Sequence, residues 1–457
     1  MLPSTPLQRK RLTLPRWVVF FFGLSLTTNV VYLFKVGNTA VPIGYVVAVP
    51  LALALLYAGR REWDDLTGSV DRSVWLFCGL AAISLCASLV LAISGVIPEN
   101  TPLVVLRGLV VLFCGLAVYV VCVSSRLDAS CLLAGIGLGI VINGVLSFVA
   151  QRAFDSGSYF SLYSLFPQES FAICAPWEIW GQLPTGSGRL TTFRPQGLFL
   201  ETSHLMVFLV CFVPLAFLAS KNNLLRSAIA VAAVYCAIAS LSPNTLFLLV
   251  EVVILLFMTR KRESTHRVPM RLRHSTILLM VFLAFCLLLV LFMNPEIVIR
   301  AYNLLSEGIS DINVSNTTDD GTLERLAAMF HGLEVAFHYP FGTGWNTESL
   351  ILQFWFGNAV PASHSYAVRL MIELGVAGLF AYVYMIYRHA APLLGDCAPR
   401  SDLALGVAVA FLCICQVTNG TALLPWTWAL LGLAHGRCVR IRRGCIDGEQ
   451  TDCDNHV

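Results

Sequence analysis

The sequence is poor in charged residues, and this scarcity excludes most classes of soluble protein. Only 12% of its 457 residues are charged, whereas 57% are hydrophobic. A soluble globular domain usually carries roughly 25% charged residues. The deficit is typical of a chain whose main solvent is lipid. The net charge of +3 is too small to indicate a partner of opposite charge.

Several familiar signatures are also missing. The chain has no P-loop, no dinucleotide fingerprint and no nucleophile elbow, which argues against a nucleotide-driven pump or a lipase of known pattern. It has no internal repeat. Most of its 15 cysteines lie inside apolar runs, and Cys174 alone falls in a predicted outer loop. A lone cysteine there does not build a disulfide framework.

Long apolar runs are abundant, and they predict an all-α polytopic membrane protein with about twelve transmembrane helices. A helix needs ~20 apolar residues to cross a hydrocarbon core ~30 Å thick. Helices are required because an unpaired backbone amide in lipid costs several kcal/mol. The predicted helices cover residues 17–34, 41–58, 74–97, 103–123, 131–150, 204–219, 226–241, 244–258, 275–293, 365–387, 403–417 and 420–437.

The distribution of lysine and arginine predicts the orientation. Basic residues concentrate in the segments that lie inside when the N-terminus is cytoplasmic, as the positive-inside rule requires. Both termini are therefore predicted to be cytoplasmic. Residues 1–293 would contain helices one to nine, with an outer loop at 151–203 and a basic cytoplasmic loop at 259–274. A long outer loop at 294–363 follows, and residues 364–457 would contain helices ten to twelve and a cytoplasmic tail.

Residues 322–338, within the long outer loop, are predicted to form an amphipathic helix on the membrane surface or over a cavity. Apolar side chains recur there at helical spacing, and Pro340 ends the helix. The predicted apolar stripe comprises Leu326, Phe330, Leu333 and Phe337. The predicted polar face comprises Glu324, His331, Glu334 and His338. The histidine spacing lacks a zinc-protease pattern, so a solvated face is favoured over a metal site.

Arginines on the outer side are rare, and those that remain need a reason. Arginine binds phosphate through two parallel hydrogen bonds and keeps its charge, so a bound anion is one reason. A salt bridge or a contact with lipid headgroups is the alternative of about equal weight. Sequence context favours the anion for Arg194 and Arg325. The outer arginines are Arg107, Arg152, Arg189, Arg194, Arg300, Arg325 and Arg369.

Two further titratable residues lie near the predicted outer boundary. His364 starts the tenth predicted helix, where an imidazole that titrates near neutrality would accept a proton from a hydroxyl. A helix cap or a packed ring is the simpler interpretation, and Ser363 would cap the helix equally well. Glu201 either accepts a proton or forms a buried ion pair. The Glu-Leu-Gly-Val-Ala-Gly segment at 373–378 predicts mainly close helix packing.

Three motifs, in this order, resemble the bacterial O-antigen polymerase and O-antigen ligase superfamily over residues 194–387. The first is Arg194-Pro-Gln-Gly197 with Glu201-Thr-Ser203-His204, where Thr202 replaces a proline that is frequent in the polymerases. The second joins Arg325 to Pro340-Phe-Gly342-Thr-Gly344, without the tryptophan often found one turn after the arginine. The third joins His364-Ser365 to Glu373-Leu-Gly375-Val-Ala-Gly378.

The resemblance implies a GT-C-like glycosyltransferase of the bacterial inner membrane, inverting and metal-independent, with no cofactor and an active site that faces the periplasm. Its donor would be an oligosaccharide on undecaprenyl pyrophosphate. Membrane lipids, a chain-length regulator and a flippase of the same pathway are the further partners that the resemblance implies, and nucleic acid is not among them.

The resemblance also implies roles for individual residues. Arg194 and Arg325 would hold the pyrophosphate, with Arg369 as a second-rank ligand, because fixed cations stabilise the charge on a leaving pyrophosphate. His364 would deprotonate the acceptor hydroxyl, and Glu201 would orient His364 or an arginine. The helix at 322–338 would act as a lid. Its contacts with sugar would be His331, Glu334 and His338.

The function remains open between related and unrelated alternatives. A polymerase transfers the glycan to another lipid-linked repeat unit, and a ligase transfers it to lipid A–core. The Glu201-Thr-Ser203-His204 motif and the aromatic loop at 151–203 favour the polymerase. A transporter or flippase is the alternative from another class, although such proteins often have internal repeats and charged groups at the bilayer midplane. A non-enzymatic scaffold would leave His364 and the outer arginines without a task.

Overall fold

The structure, a computed structural model, describes most of the helical part of the chain. The described residues are 14–28, 31–36, 39–58, 70–156, 172–173, 196–199, 201–240, 244–264, 321–357, 362–395, 399–417 and 424–447. The helix predicted at 275–293 and most of the outer loop at 151–203 lie outside these residues, as does the first part of the loop at 294–363.

Helices dominate the described residues, as the apolar runs predict. They are α1 (Arg16–Ser25), α2 (Ile43–Ala58), α3 (Arg72–Ile93), α4 (Thr101–Val123), α5 (Ala129–Asp155), α6 (Thr202–Ala219), α7 (Asn223–Ser240), α8 (Asn244–Ser264), α9 (Gly321–His338), α10 (Glu348–Phe356), α11 (Tyr366–Ala390), α12 (Arg400–Val417) and α13 (Pro425–Asp447). A short 3-10 turn, Ala391–Leu393, follows α11.

Six of these helices, α3 to α7 and α11, are long and apolar enough to cross a membrane, judged by length and composition. Shorter apolar helices occur within α1, α2, α8 and α12. The chain is therefore a mostly helical protein of the polytopic membrane class. The total of about twelve spans and the GT-C-like classification stay predictions.

The N-terminal segment differs from its prediction. A single helix was expected over residues 17–34, but α1 ends at Ser25 and the chain then forms strand β1, Val31–Val36. Strand β1 pairs antiparallel with β2, Thr39–Pro42, and with the short β3, Ala172–Ile173. The run from Val30 to Phe34 is rich in β-branched and aromatic residues, which fit a strand better than a helix.

Helix α6 lies at the centre of the bundle. Most of its residues are buried, and it packs against α5, α7, α8 and α12. Helix α11 packs against α3, α9, α12 and α13. Helix α12 therefore contacts both α6, which begins next to Glu201, and α11, which begins next to His364.

Helix α11 is broken at Gly375, where the backbone is non-helical with φ 68° and ψ −170°. The loop after α9 fills the break: the N–H groups of Thr343 and Gly344 donate to the carbonyl oxygens of Ile372 and Glu373, both at 2.9 Å. In return the N–H of Val376 donates to the carbonyl oxygen of Pro340 at 3.3 Å. The segment 373–378 was expected mainly to pack closely, and it does so at Gly375, but against a loop that enters a break in the helix.

Only glycine fits the closest contacts of this joint. A Cβ on Gly375 would lie 2.2 Å from the carbonyl oxygen of Pro340, and a Cβ on Gly342 would lie 2.4 Å from that of Glu373. Both glycines also have positive φ, which other residues adopt at a cost. Irregular backbone at membrane depth persists where other protein groups satisfy it, and the inserted loop does so here.

Helix α9, Gly321–His338, spans the residues predicted as a helix at 322–338, but its buried face is not the predicted one. Phe337, a member of the predicted apolar stripe, is 74% exposed. The buried positions are mostly small, among them Ala327, Ala328, Gly332 and Ala336. A Cβ on Gly332 would come within 3 Å of side chains on Val368 and Ser363. Small residues thus permit α9 to approach α11 closely. A pattern of large apolar side chains does not predict this face.

Candidate functional site

A buried arginine–carboxylate cluster lies where the loop meets α11. The Nε of Arg369 donates to Oε1 of Glu373 at 2.9 Å and lies 3.8 Å from Oε2 of Glu348. Its Nη2 donates to Oδ1 of Asn346 at 3.0 Å. The backbone N–H of Glu348 also points to Oε1 of Glu373, at 3.4 Å. The cluster therefore joins the start of α10 to the first half of α11.

The cluster is not fully saturated. Glu373 is completely buried, and its Oε2 has no hydrogen-bond partner among the described residues. Two of the three guanidinium nitrogens of Arg369 are used inside the protein. The third, Nη1, makes no hydrogen bond or ion pair with the residues that the structure describes. The salt bridge that was weighed as the alternative for an outer arginine is thus present at Arg369, and one nitrogen remains for a ligand.

His364 lies next to this cluster in a strained backbone conformation. Its φ is 55°, in the left-handed region, and Asn346 has a φ of 66°. No other non-glycine residue in the described ranges has positive φ. This conformation costs a non-glycine residue about 1 kcal/mol or more, and such strain clusters at functional sites.

Buried serines hold both neighbours of His364. The N–H of Ser363 donates to Oε1 of Glu348 at 2.9 Å, and its hydroxyl donates to the same oxygen. The Oγ of Ser365 accepts from the N–H of Val368 and caps α11. The cap is therefore Ser365, not Ser363 or His364, so capping does not explain the histidine.

The loop that carries the cluster is anchored to α3 and α4 through Trp345. Its N–H donates to the Oγ of Ser84 at 2.9 Å, and its indole Nε1 donates to the carbonyl oxygen of Gly108 at 3.1 Å. The hydroxyl of Thr347 contacts that of Thr343 at 2.8 Å and donates to the carbonyl oxygen of Gly344. These buried bonds fix the loop before α10 begins.

The predicted lid residues lie at the edge of this region. His331 pairs with Glu334 at 3.6 Å, and its ring packs 4.6 Å from that of Phe356. His338 packs 4.7 Å from Trp355, and its Nδ1 contacts the carbonyl oxygen of Glu334. Among the described residues no group of three or more histidine, cysteine or acidic side chains is arranged to hold a metal.

The structure describes the predicted pyrophosphate-binding arginines only in part. Arg194 lies outside the described residues, and for Arg325 the structure describes the backbone position in α9 alone. Whether the side chains of these residues converge on His364 stays a prediction.

The turn that follows Arg194 is described and is held by two buried side chains. The hydroxyl of Thr28 donates to the carbonyl oxygen of Leu198 at 3.1 Å. The Oδ1 of Asn143, on α5, accepts from the N–H of Leu198 at 2.6 Å. The same amide donates to the carbonyl oxygens of Thr27 and Gly139. Gly197 has a φ of 57°, and a Cβ there would lie 2.3 Å from Oδ1 of Asn143.

Glu201 lies just beyond this turn, at the N-cap position of α6. Its Oε2 accepts from the hydroxyl of Ser203 at 2.8 Å. The carboxylate therefore has a local partner, and its assignment to His364 or to an arginine stays a prediction.

The other end of α11 carries a second polar cluster. Arg388 lies 3.4 Å from Oδ2 of Asp71, and His389 contacts the hydroxyl of Tyr119 at 3.0 Å. Burial alone would raise the pKa of the Asp71 carboxyl. Hydrogen bonds from Ser73 and the charge of Arg388 lower that pKa to about 2. Asp71 is therefore ionised at neutral pH and caps α3 through the N–H of Ser73.

Sequence reasoning missed Glu348 and Asn346, which belong to the arginine–carboxylate cluster, and Asn143, which holds the turn after Arg194. Glu348 begins α10, a helix that was not predicted inside the long loop. A signal was available, because an acidic residue followed by Ser-Leu-Ile-Leu-Gln-Phe-Trp-Phe is typical of a short apolar helix.

Residues 228–383 match a protein-family model described as O-antigen ligase. The match covers about a third of the chain and includes α9, α10, His364 and the break at Gly375. It confirms the resemblance to the O-antigen polymerase and ligase superfamily. The family implies a membrane enzyme that transfers glycosyl groups and uses lipid-linked glycans. A search of curated proteins finds no match for this chain.

Proposed function

We propose that the chain is an inverting, metal-independent glycosyltransferase whose donor is an oligosaccharide on undecaprenyl pyrophosphate. The observation that carries this proposal is the strained backbone of His364 beside the buried cluster of Arg369, Glu348 and Glu373. These four residues lie inside the region that matches the family model.

In the proposed reaction the acceptor hydroxyl attacks the anomeric carbon of the donor. Its oxygen forms the new glycosidic bond, and its proton passes to His364, which acts as general base. The bond between the anomeric carbon and the pyrophosphate breaks, and the electron pair leaves with the lipid pyrophosphate. Attack opposite the leaving group inverts the anomeric carbon.

Cationic side chains would stabilise the departing pyrophosphate. Nη1 of Arg369 supports a contact with phosphate, because its other two nitrogens are already held by carboxylate and amide oxygens. Helical periodicity supports Arg325: position 325 is two turns, or roughly 10 Å, before Gly332 and on the same face of α9. That face approaches Ser363, the neighbour of His364.

The acceptor distinguishes two versions of this function. The Glu201-Thr-Ser203-His204 motif favours polymerisation of repeat units into O-antigen or exopolysaccharide on the periplasmic face. The description of the matching family model favours ligation of the glycan to lipid A–core. We propose polymerase first, and the experiment below separates the two.

The break in α11 also bears on transport, the alternative from another class. Transporters use broken helices, whose freed backbone groups coordinate the cargo. Here the chain's own loop occupies those groups, from the carbonyl of Ile372 to the N–H of Val376. The break therefore favours a fixed site over a moving gate.

The test is expression of the full chain in two bacterial hosts, one lacking its polymerase and one lacking its ligase, each making the matching repeat unit. Gels of the lipopolysaccharide should show a restored ladder in the polymerase-deficient host. His364→Ala, present in the membrane at the same level, should leave single repeat units. A ladder restored only in the ligase-deficient host would assign the ligase. Failure in both hosts would contradict the proposal.

A further inference from the structure

His364 is the one histidine of the described chain whose backbone has positive φ. Isolated residues do not hold this conformation by preference, so neighbouring contacts must impose it. On one side Ser365 is fixed as the cap of α11. On the other side Ser363 is fully buried and bound to Glu348.

We propose that Glu348 is a positioning residue for the base, and that it acts through Ser363. This inference rests on the proposed function. Oε1 of Glu348 accepts both from the N–H and from the hydroxyl of Ser363. Two hydrogen bonds to one oxygen fix the orientation of Ser363 and therefore the direction in which the chain enters His364.

The fold delivers Glu348 to this position through the broken helix. The segment that fills the break at Gly375 continues through Thr347 into α10, whose first residue is Glu348. Its carboxylate lies in the first turn of α10, where the helix dipole favours a negative charge. The same loop therefore satisfies the backbone groups freed by the break in α11 and leads into Glu348. The carboxylate of Glu348 binds Ser363, the residue before His364.

A competing role for Glu348 uses a different oxygen. Oε2 lies 3.8 Å from Nε of Arg369, so Glu348 also contributes to the ion pair. The positioning role needs only an oxygen that accepts hydrogen bonds, whereas the ion pair needs a negative charge. Glutamine keeps the acceptor and removes the charge, and alanine removes both. The two substitutions therefore separate the roles.

The experiment measures kcat and donor KM of the purified full chain in lipid nanodiscs, with an undecaprenyl-pyrophosphate-linked glycan as donor. Glu348→Ala should lower kcat about 100-fold, the effect of a misplaced catalytic group, without changing the donor KM. Glu348→Gln should recover kcat to within about tenfold of wild type. In a His364→Ala background Glu348→Ala should have no further effect, because residues that act through one another are not additive.

Three results would overturn the inference. They are an equal loss from Glu348→Ala with and without His364, a raised donor KM at unchanged kcat, and a Glu348→Gln variant as inactive as Glu348→Ala. Each would assign Glu348 to the Arg369 ion pair or to folding. Full activity of His364→Ala would instead refute the proposed function itself, so the two failures are distinguishable.

Ser363→Ala keeps the inference testable if the Glu348 variants do not fold. It removes the hydroxyl donor but leaves both charges of the ion pair in place. We expect about a tenfold lower kcat at unchanged donor KM, and wild-type kcat would overturn the inference. Glu99→Gln, at an exposed glutamate in the turn between α3 and α4, is the matched control and should have wild-type kinetics.

Discussion

The two ends of α11 both carry an arginine paired with a buried carboxylate, but the backbone around them differs. Along an unbroken helix Arg369 and Arg388 would be roughly 28 Å apart, close to the ~30 Å of a hydrocarbon core. Around Arg369 the helix is broken, and His364 and Asn346 have positive φ. Around Arg388 the helix is regular.

This difference in the backbone is the reason for proposing the Arg369 cluster, and not the Arg388 cluster, as the functional site. The cluster of Arg388, Asp71 and His389 has relaxed backbone; Arg388 pairs with Asp71 and His389 contacts Tyr119, although Nε of Arg388 is buried without a hydrogen-bond partner among the described residues. Such an arrangement is explained by packing and helix capping. The cluster of Arg369 combines strain, an unpartnered buried carboxylate oxygen on Glu373 and an arginine nitrogen that remains for a ligand. Packing alone does not explain why the protein tolerates the strained backbone and the unpartnered carboxylate oxygen.

The largest expected contrast comes from removing each arginine. Arg369→Met should lower the free energy of unfolding by about 3–5 kcal/mol, because it leaves Glu348 and Glu373 buried without a counter-charge. Arg388→Met should lower it by less than about 1 kcal/mol, because Arg388 is about one-third exposed. Denaturant unfolding of the purified variants in detergent measures both. Equal losses would remove the distinction between the two ends.

A second contrast concerns the break itself. Gly375→Ala should cost about 3 kcal/mol, because alanine is strained at positive φ and its Cβ would meet the carbonyl oxygen of Pro340. Gly79→Ala on α3 is the control, since a Cβ there has no neighbour within 4 Å. It should change stability by no more than about 1 kcal/mol. Thermal unfolding that ranks the two variants alike would argue against the inserted loop.

The third contrast extends the comparison to the turn that follows Arg194. Asn143→Ala removes three buried hydrogen bonds and should cost about 2 kcal/mol. Glycan transfer should also fall, because Thr28 is then the only one left of the two side chains that hold the turn containing Gly197. Asn100→Ala is the matched control, because Asn100 is exposed and makes no cap hydrogen bond through its side chain. Wild-type transfer by a folded Asn143→Ala protein would show that this turn does not need its anchor on Asn143.

Much of the fold could be predicted from the sequence, because apolar length and helical periodicity are local signals. The helix at 322–338 and the position of His364 just before a long helix are examples. The first helix was overextended, because hydropathy alone does not separate an apolar strand from an apolar helix. The β-branched run at 30–34 carried that information.

The architecture of the site could not be predicted in the same way. Pairing of the Pro340–Gly344 loop with α11 and of Glu348 with Ser363 joins residues that are far apart in sequence. A Gly-x-x-Gly segment in a helix is equally compatible with close packing against a second helix and with a break in the helix itself. Only the contact between Gly375 and Pro340 decides it. Motif reasoning identified His364 and Arg369 but did not identify what holds them.

The most direct test compares, in the same assay, the histidines at the two ends of α11: His364, two residues before the helix, and His389 in its last turn. Purified His364→Gln and His389→Gln would be given the lipid-linked donor and its acceptor, and kcat would be measured for each. His364→Gln should lose about 1000-fold, as for a general base. His389→Gln should keep wild-type kcat, because the amide of the new side chain can still form a hydrogen bond with the hydroxyl of Tyr119. Equal loss in both, or loss at His389 alone, would contradict the assignment of the reaction to the strained end.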